Sequence, residues 1–376
     1  MNAVNNIGSL IRILRLQKNW SLETLANGIC SVSYLSKIEQ GKVETNHQLI
    51  EDLFRKLGFL WSEDPAHNLL CEQLYEGIFS WDDVYTKTQF DLLEKIWPTQ
   101  AMGPCYVDFL VIRAYILGRL EIMPNTFLSS LDNRQRALYL LLQNNRREAY
   151  QIYPCPLTAF CVAEEAYMEG NYIQALEYLQ IARNEAAREG YVYLQLYTEN
   201  YIANCYSDMG NIEVMHRHSR IAIRLAHALG KKDIVRTIEY NLAATQLEQG
   251  NYEVAYQYFS NLDSPDVMEL HKLAISCECL GRYAEAKVAL DKTESMDTTL
   301  MQKKMLELVR YRLENPEYLQ DPYYGNLLLN TFEDIKAHYH AGYVRFHLRW
   351  VTQWLTANRQ YRKAYELLTC FPNYNG

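Results

Sequence analysis

The 376-residue chain is too long for one ordinary hydrophobic core, so it is either several domains or a small domain joined to a continuous helical array. Its formal net charge is −8, from 37 Lys and Arg against 45 Asp and Glu, and no run of ~18 apolar residues occurs, because Asp108 and Arg113 interrupt the most hydrophobic stretch. A membrane-spanning protein and a body that binds nucleic acid by bulk charge are both excluded; yet residues 1–60 hold seven basic and five acidic groups, a net +2 that leaves −10 for the remainder.

Ile7, Leu10, Ile11 and Leu14 recur at i, i+3, i+4 and i+7, the one-sided apolar stripe of a first amphipathic helix. Ser21 is a natural N-cap for a short second helix with Leu22, Leu25, Ala26 and Ile29 on one side, and Glu23 sits where the helix dipole favours an anion. After a tight turn at Cys30-Ser31, Leu35 and Ile38 anchor a third helix that stops at Gly41, the residue best able to take a left-handed C-cap. A fourth helix carries Leu49, Ile50, Leu53 and Leu57. Two short helices joined by a few residues, the second apolar at only two positions, form a helix-turn-helix whose second helix can enter a major groove.

The stretch "SLETLANGICSVSYLSKIEQGK" resembles the lambda/434-repressor type of helix-turn-helix, the XRE family, over about residues 5–60. The resemblance puts the base-reading positions on Val32, Ser33 and Lys37, and the phosphate-contacting positions on Ser31, Lys42, Thr45 and Asn46. It also implies that Arg15 pairs with Glu39 instead of reaching a phosphate. One departure from the family is Leu22, where a phosphate-touching Gln is common. Val32 offers base edges only apolar contact, whereas Ser33 hydrogen-bonds several of them, so readout per half-site is thin and a homodimer is expected.

Pro65 disfavours the helical conformation at Asp64 and sets the expected boundary between residues 1–62 and 66–376. Beyond it the chain reads as helical throughout and repeats itself: "AYMEGNYIQALEYL", "CYSDMGNIEVMHRH", "TQLEQGNYEVAYQY" and "CECLGRYAEAKVAL" place Gly170, Gly210, Gly250 and Gly281 at corresponding positions. Weaker copies fall near 141–152 and 356–368, and the register is lost at 62–140 and 296–342, where Pro316 and Pro322 interrupt the helices. Each unit reads as helix, Gly turn, Asn or Arg before Tyr, and a second helix whose Ala175, Ala255 or Ala286 permits close approach. The Tyr is expected to fill the gap between the paired helices. Nine scattered cysteines, with no signal-peptide-like segment, are expected to stay reduced in the cytoplasm. Cys277-x-Cys279, His216-x-His218 and His338-x-His340 each face apart on a helix, so neither metal nor cofactor is expected. No phosphate-cradling Gly-rich loop, H-E-x-x-H or G-x-S-x-G occurs, and the chain does not read as an enzyme.

These units resemble tetratricopeptide repeats, which implies an all-α fold: the helix-turn-helix followed by a right-handed superhelix whose concave groove holds an extended peptide or a partner helix. An XRE-type N-terminus joined to such an array resembles the RRNPP group of bacterial peptide-pheromone receptors, with the strongest local likeness in "LYTENYIANCYSDMG" (196–210) and "YNLAATQLEQGNY" (240–252). In that group, asparagines on groove-lining helices hold the backbone of a short signalling peptide. The matching positions are Asn200 and Asn241, and Asn204 lies one turn after Asn200 on the same face. The resemblance implies a DNA-binding transcription regulator controlled by a short peptide in quorum sensing. Two alternatives stand beside it: a regulator whose groove takes a protein partner, and a Rap-like response-regulator phosphatase, for which nothing in the sequence favours Gln73 or Gln89 as the glutamine such members use.

Overall fold

The computed structural model describes residues 4–96, 101–123, 128, 131–339 and 341–370, and these are almost wholly helical. Helix α1 (Val4–Gln17) buries Leu10, Ile11, Ile13 and Leu14. Gly8 lets it close on α3 (Val32–Glu39), because a Cβ there would lie 2.0 Å from the Ile38 carbonyl oxygen. Helix α2 (Leu22–Ala26) starts where Ser21 Oγ accepts the Thr24 N–H at 3.1 Å. Helix α3 ends at Gly41, whose φ of +65° lets the Lys42 N–H reach the Lys37 carbonyl at 2.9 Å. Helix α4 (His47–Lys56) completes the group, and Leu25, Leu35, Leu53 and Phe54 form its fully buried centre.

A two-residue parallel pairing of β1 (Leu60–Trp61) with β2 (Ala101–Met102) follows, and Trp61 stacks on Phe54 with ring centroids 4.5 Å apart. Helicity resumes at once in α5 (Pro65–Ser80): Asp64 takes the extended N-cap conformation that Pro65 imposes and accepts the Ala66 N–H at 2.9 Å. The stretch without readable register holds α6 (Asp83–Ile96), α7 (Tyr106–Leu117) and α8 (Asn133–Leu142), the last paired with α9 (Arg146–Ile152).

Four helical hairpins then carry the repeat: α10 (Pro156–Met168) with α11 (Tyr172–Glu189), α12 (Val192–Asp208) with α13 (Ile212–Ala228), α14 (Lys232–Glu248) with α15 (Tyr252–Ser260), and α16 (Val267–Cys279) with α17 (Tyr283–Lys292). Their turn glycines have φ of +78°, +76°, +82° and +72°. In each, the next N–H returns to a carbonyl five residues back: Asn171 to Ala166, Asn211 to Tyr206, Asn251 to Gln246 and Arg282 to Cys277, at 2.8 to 2.9 Å. Helices α18 (Leu300–Glu314), α19 (Pro322–His338), α20 (Ala341–Ala357) and α21 (Tyr361–Thr369) finish the chain. Ala175, Ala255 and Ala286 are fully buried, as close helix approach requires. The tyrosine expectation fails in one repeat: Tyr172 and Tyr252 are half-buried, but Tyr283 is 58% exposed and fills no gap. The fold is thus all-α, an N-terminal helix-turn-helix followed by tetratricopeptide-type hairpins. It clusters into two compact units, residues 1–165 with 177–195 and residues 166–176 with 196–376.

The core of the second unit holds two histidines, His271 and His347, stacked with ring centroids 6.4 Å apart. His347 Nδ1 donates to the Tyr343 carbonyl at 2.9 Å, which makes Nε2 the bare nitrogen, and that atom is buried without a partner among the described residues. Burial first, then the nearby Lys272, holds His347 down at about 3, and burial likewise pushes His271 down. An unfolded histidine titrates near 6.5, so acid protonates the unfolded chain first. The second unit is therefore expected to lose about 1.4 kcal/mol of stability per pH unit for each such histidine as pH falls below ~6.5. Urea unfolding of the wild type and of His347→Phe at about pH 7 and about pH 5 checks this; equal pH slopes for the two proteins would contradict it.

Candidate functional site

On α3, Val32, Ser33 and Lys37 are all exposed, while Leu35, Ile38 and Glu39 face inward. The three base-reading candidates thus share the outer face of a helix anchored from behind. Ser31 caps that helix, its Oγ accepting the Tyr34 N–H at 3.2 Å, and Asn46 caps α4, its Oδ1 accepting the Leu49 N–H at 2.9 Å. Both caps leave side-chain donors free to meet a phosphate, and Lys42 is exposed nearby in sequence. Thr45 differs: its Oγ1 is buried without a hydrogen-bond partner among the described residues, so it presents no hydroxyl to the outside. Arg15 lies inside the module, with Nε and Nη2 donating to the two Glu39 carboxylate oxygens at 2.7 and 2.8 Å and Nη1 to the Trp20 carbonyl at 2.7 Å.

The second site is a cavity of about 350 Å³ in the second unit, between α12, α14, α16 and α20. Asn200, Asn204 and Asn241 all line it, so the structure brings the three candidates together. Asn241 Nδ2 donates to Asn204 Oδ1 at 3.4 Å, a long and weak bond. Asn200 Oδ1 is buried and has no partner among the described residues. Ser207 and Thr245 hydroxyls lie 3.1 Å apart along the same wall, and Tyr167 meets Tyr201 edge-on with centroids 5.5 Å apart. The cavity therefore offers carboxamides, hydroxyls and aromatic faces within one small-ligand-sized space.

Four charged groups on this cavity carry no motif. Arg345 of α20 donates to the carbonyls of Ser207, at 3.0 Å, and Asp208, and pairs with the carboxylates of Asp208 and Glu248 at 3.1 Å each. Lys272 of α16 is 3% exposed, with Nζ 2.8 Å from the centroid of the Phe346 ring. Burial pushes Lys272 well below the usual lysine range and Glu248 up from the usual carboxylate range. A sequence signal existed for the acids: Asp208 and Glu248 each stand two residues before a turn glycine, in consecutive repeats. The partners of those acids come from far along the chain and had none.

A further cavity of about 700 Å³ lies in the first unit, and Gln73 lines it among Glu72, Glu76, Glu185 and Glu189. Glu72 is held by Arg134 through bonds of 2.7 and 2.8 Å, and Glu189 by Arg188, which also lines the space, at 3.2 Å. Gln89 does not line it.

This is a helix-turn-helix protein with a helical-repeat body that carries a polar cavity. Residues 11–59 match the helix-turn-helix family, and no curated protein matches the chain. Among solved structures, that of a Rap protein complexed with competence and sporulation factor superposes with a TM-score of 0.56 at 16% identity, over 82% of this chain and 98% of that one. The chain therefore shares the fold of that Rap protein over most of its length. Two others align with lower scores. The apo form of the quorum sensor NprR from B. thuringiensis gives 0.45 at 12% identity over 99% of this chain and 98% of that one. Bacillus thuringiensis PlcR in complex with the peptide PapR7 and DNA gives 0.16 at 15% over 96% and 99%. Among the described residues no helix is long and apolar enough to cross a membrane.

Proposed function

We propose that the chain is a sequence-specific DNA-binding transcription regulator of the RRNPP type, in which a short signalling peptide occupies the asparagine-lined cavity. Residues 1–62 are the DNA-binding domain and 66–376 the peptide-sensing and dimerisation domain. The observation that carries this reading is the convergence of Asn200, Asn204 and Asn241 on one cavity, with Asn200 Oδ1 buried and unpaired among the described residues. An extended peptide brings unpaired N–H and C=O groups, and a carboxamide answers both kinds at once. A buried acceptor without a donor is costly to keep in a site that stays empty.

Protein purified from its native host and analysed by native mass spectrometry is expected to carry a short peptide that denaturation releases. Recovery of a folded protein partner instead would favour a groove built for protein. One exposed base-reading face with a single lysine gives thin affinity, so the chain is expected to act as a homodimer on two half-sites roughly 34 Å, or a multiple, apart. Sedimentation at micromolar concentration together with nuclease protection checks this. A monomer protecting one asymmetric site would count against it.

A further inference from the structure

We propose that Lys272 is the anion-receiving group of the cavity, so that a carboxylate carried by the bound peptide docks on its Nζ. This rests on the reading of the cavity as a peptide site and specifies what the peptide must bring. Four charged side chains face the space: Asp208 from α12, Glu248 from α14, Lys272 from α16 and Arg345 from α20. Arg345 pairs with both carboxylates, at 3.1 Å each. Lys272 is left as the remaining basic group, with no hydrogen-bond acceptor among the described residues and the face of Phe346 against its Nζ.

A lysine 97% removed from solvent without an acceptor is unfavourable for the folded chain. A methionine would fill the same volume at lower cost, so packing alone does not account for the amine. The other unsatisfied groups on the wall among the described residues are Asn200 Oδ1 and Asp208 Oδ2, and both are acceptors. A basic amine and two bare acceptors facing one space together fit a chain that offers N–H groups to Asn200 and Asp208 and a carboxylate to the lysine. That carboxylate is either the free C-terminus or an Asp or Glu side chain. The competing account makes Lys272 a structural partner of Glu248.

The test uses the full-length chain and two degenerate heptapeptide pools, identical except that one ends in a free carboxylate and the other in an amide. Retained peptides are read by mass spectrometry. Wild type is expected to enrich carboxylate-bearing peptides about tenfold. Preference for the free-acid pool identifies the C-terminus, and enrichment of Asp or Glu in both pools identifies a side chain; either supports the proposal. Lys272→Met is expected to lose the preference while melting at or above wild type without ligand, and Lys272→Arg to retain it in part. Three results would overturn the proposal: peptides retained by wild type with no carboxylate preference, a preference that survives in Lys272→Met, or a Lys272→Met protein that melts well below wild type. If wild type retains neither pool, the peptide reading itself fails and this inference goes with it.

Discussion

Replacing Ser33 and Lys37 together with alanine is expected to abolish operator-specific binding while leaving the helical content unchanged. Both side chains are exposed on α3, whose inner positions Leu35 and Ile38 hold the helix in place, so their loss removes contacts to DNA and none to the core. A well-made base contact discriminates by ~1–3 kcal/mol, and two lost together bring a specific site most of the way to the non-specific level. If Lys37 also meets a phosphate, the salt dependence of the residual binding should fall by about one counterion. Gel shifts with operator and scrambled DNA, alongside circular dichroism, decide it. Unchanged discrimination in the double variant would remove α3 from the reading role.

Glu39→Ala is expected to destabilise the helix-turn-helix by about 3–5 kcal/mol, since it leaves the Arg15 guanidinium buried opposite an empty space. The Arg15 and Glu39 side chains are 9% and 5% exposed, and the two-pronged contact between them ties the end of α1 to the end of α3. A salt bridge on the surface would matter far less. Urea unfolding of residues 1–62, with Arg15→Ala and the double variant completing the cycle, gives the coupling. The same fragment tests whether the boundary near Pro65 marks an independently folding domain. Stability unaffected by Glu39→Ala would mean that Arg15 is free to serve a phosphate.

The parts of this architecture legible in the sequence are those with local causes. Ser21 caps α2 because a short acceptor before an apolar stripe does so wherever it occurs, and Ser31 and Asn46, expected as phosphate contacts, cap α3 and α4 by the same rule. Gly170, Gly210, Gly250 and Gly281 mark the hairpins because each turn needs a left-handed residue. The weaker copies close on Asn144 and Arg359, at φ of +59° and +56°, where no glycine advertises the turn. Similarly, α5 ends on Trp81 at φ +62°, an unusual residue for the left-handed region, which is one reason the register from 62 to 140 was opaque. The common face of Asn200 and Asn204 follows from their spacing of four. That Asn241 joins them depends on how α12 and α14 pack. Lys272 lies in a helix buried on nearly every side, and Arg345 reaches Asp208 across 137 residues of chain. Local pattern carries no information on either. Nor did it reveal that the Thr45 hydroxyl turns inward.

The central claim is that the asparagine-lined cavity grips a peptide backbone, and its most direct test is the thermal shift of Asn200→Ala and Asn241→Ala with the peptide recovered from the native host. Asn200 Oδ1 bonds to nothing described and the Asn241 side chain makes only the 3.4 Å contact to Asn204, so neither variant gives up much in the ligand-free fold. Each should instead strand peptide backbone groups and weaken binding by ~1–3 kcal/mol. The expected result is that both variants melt near wild type without peptide and lose most of the stabilisation that peptide confers on wild type. Variants that keep the full peptide shift, or that are already unfolded without peptide, would contradict the account.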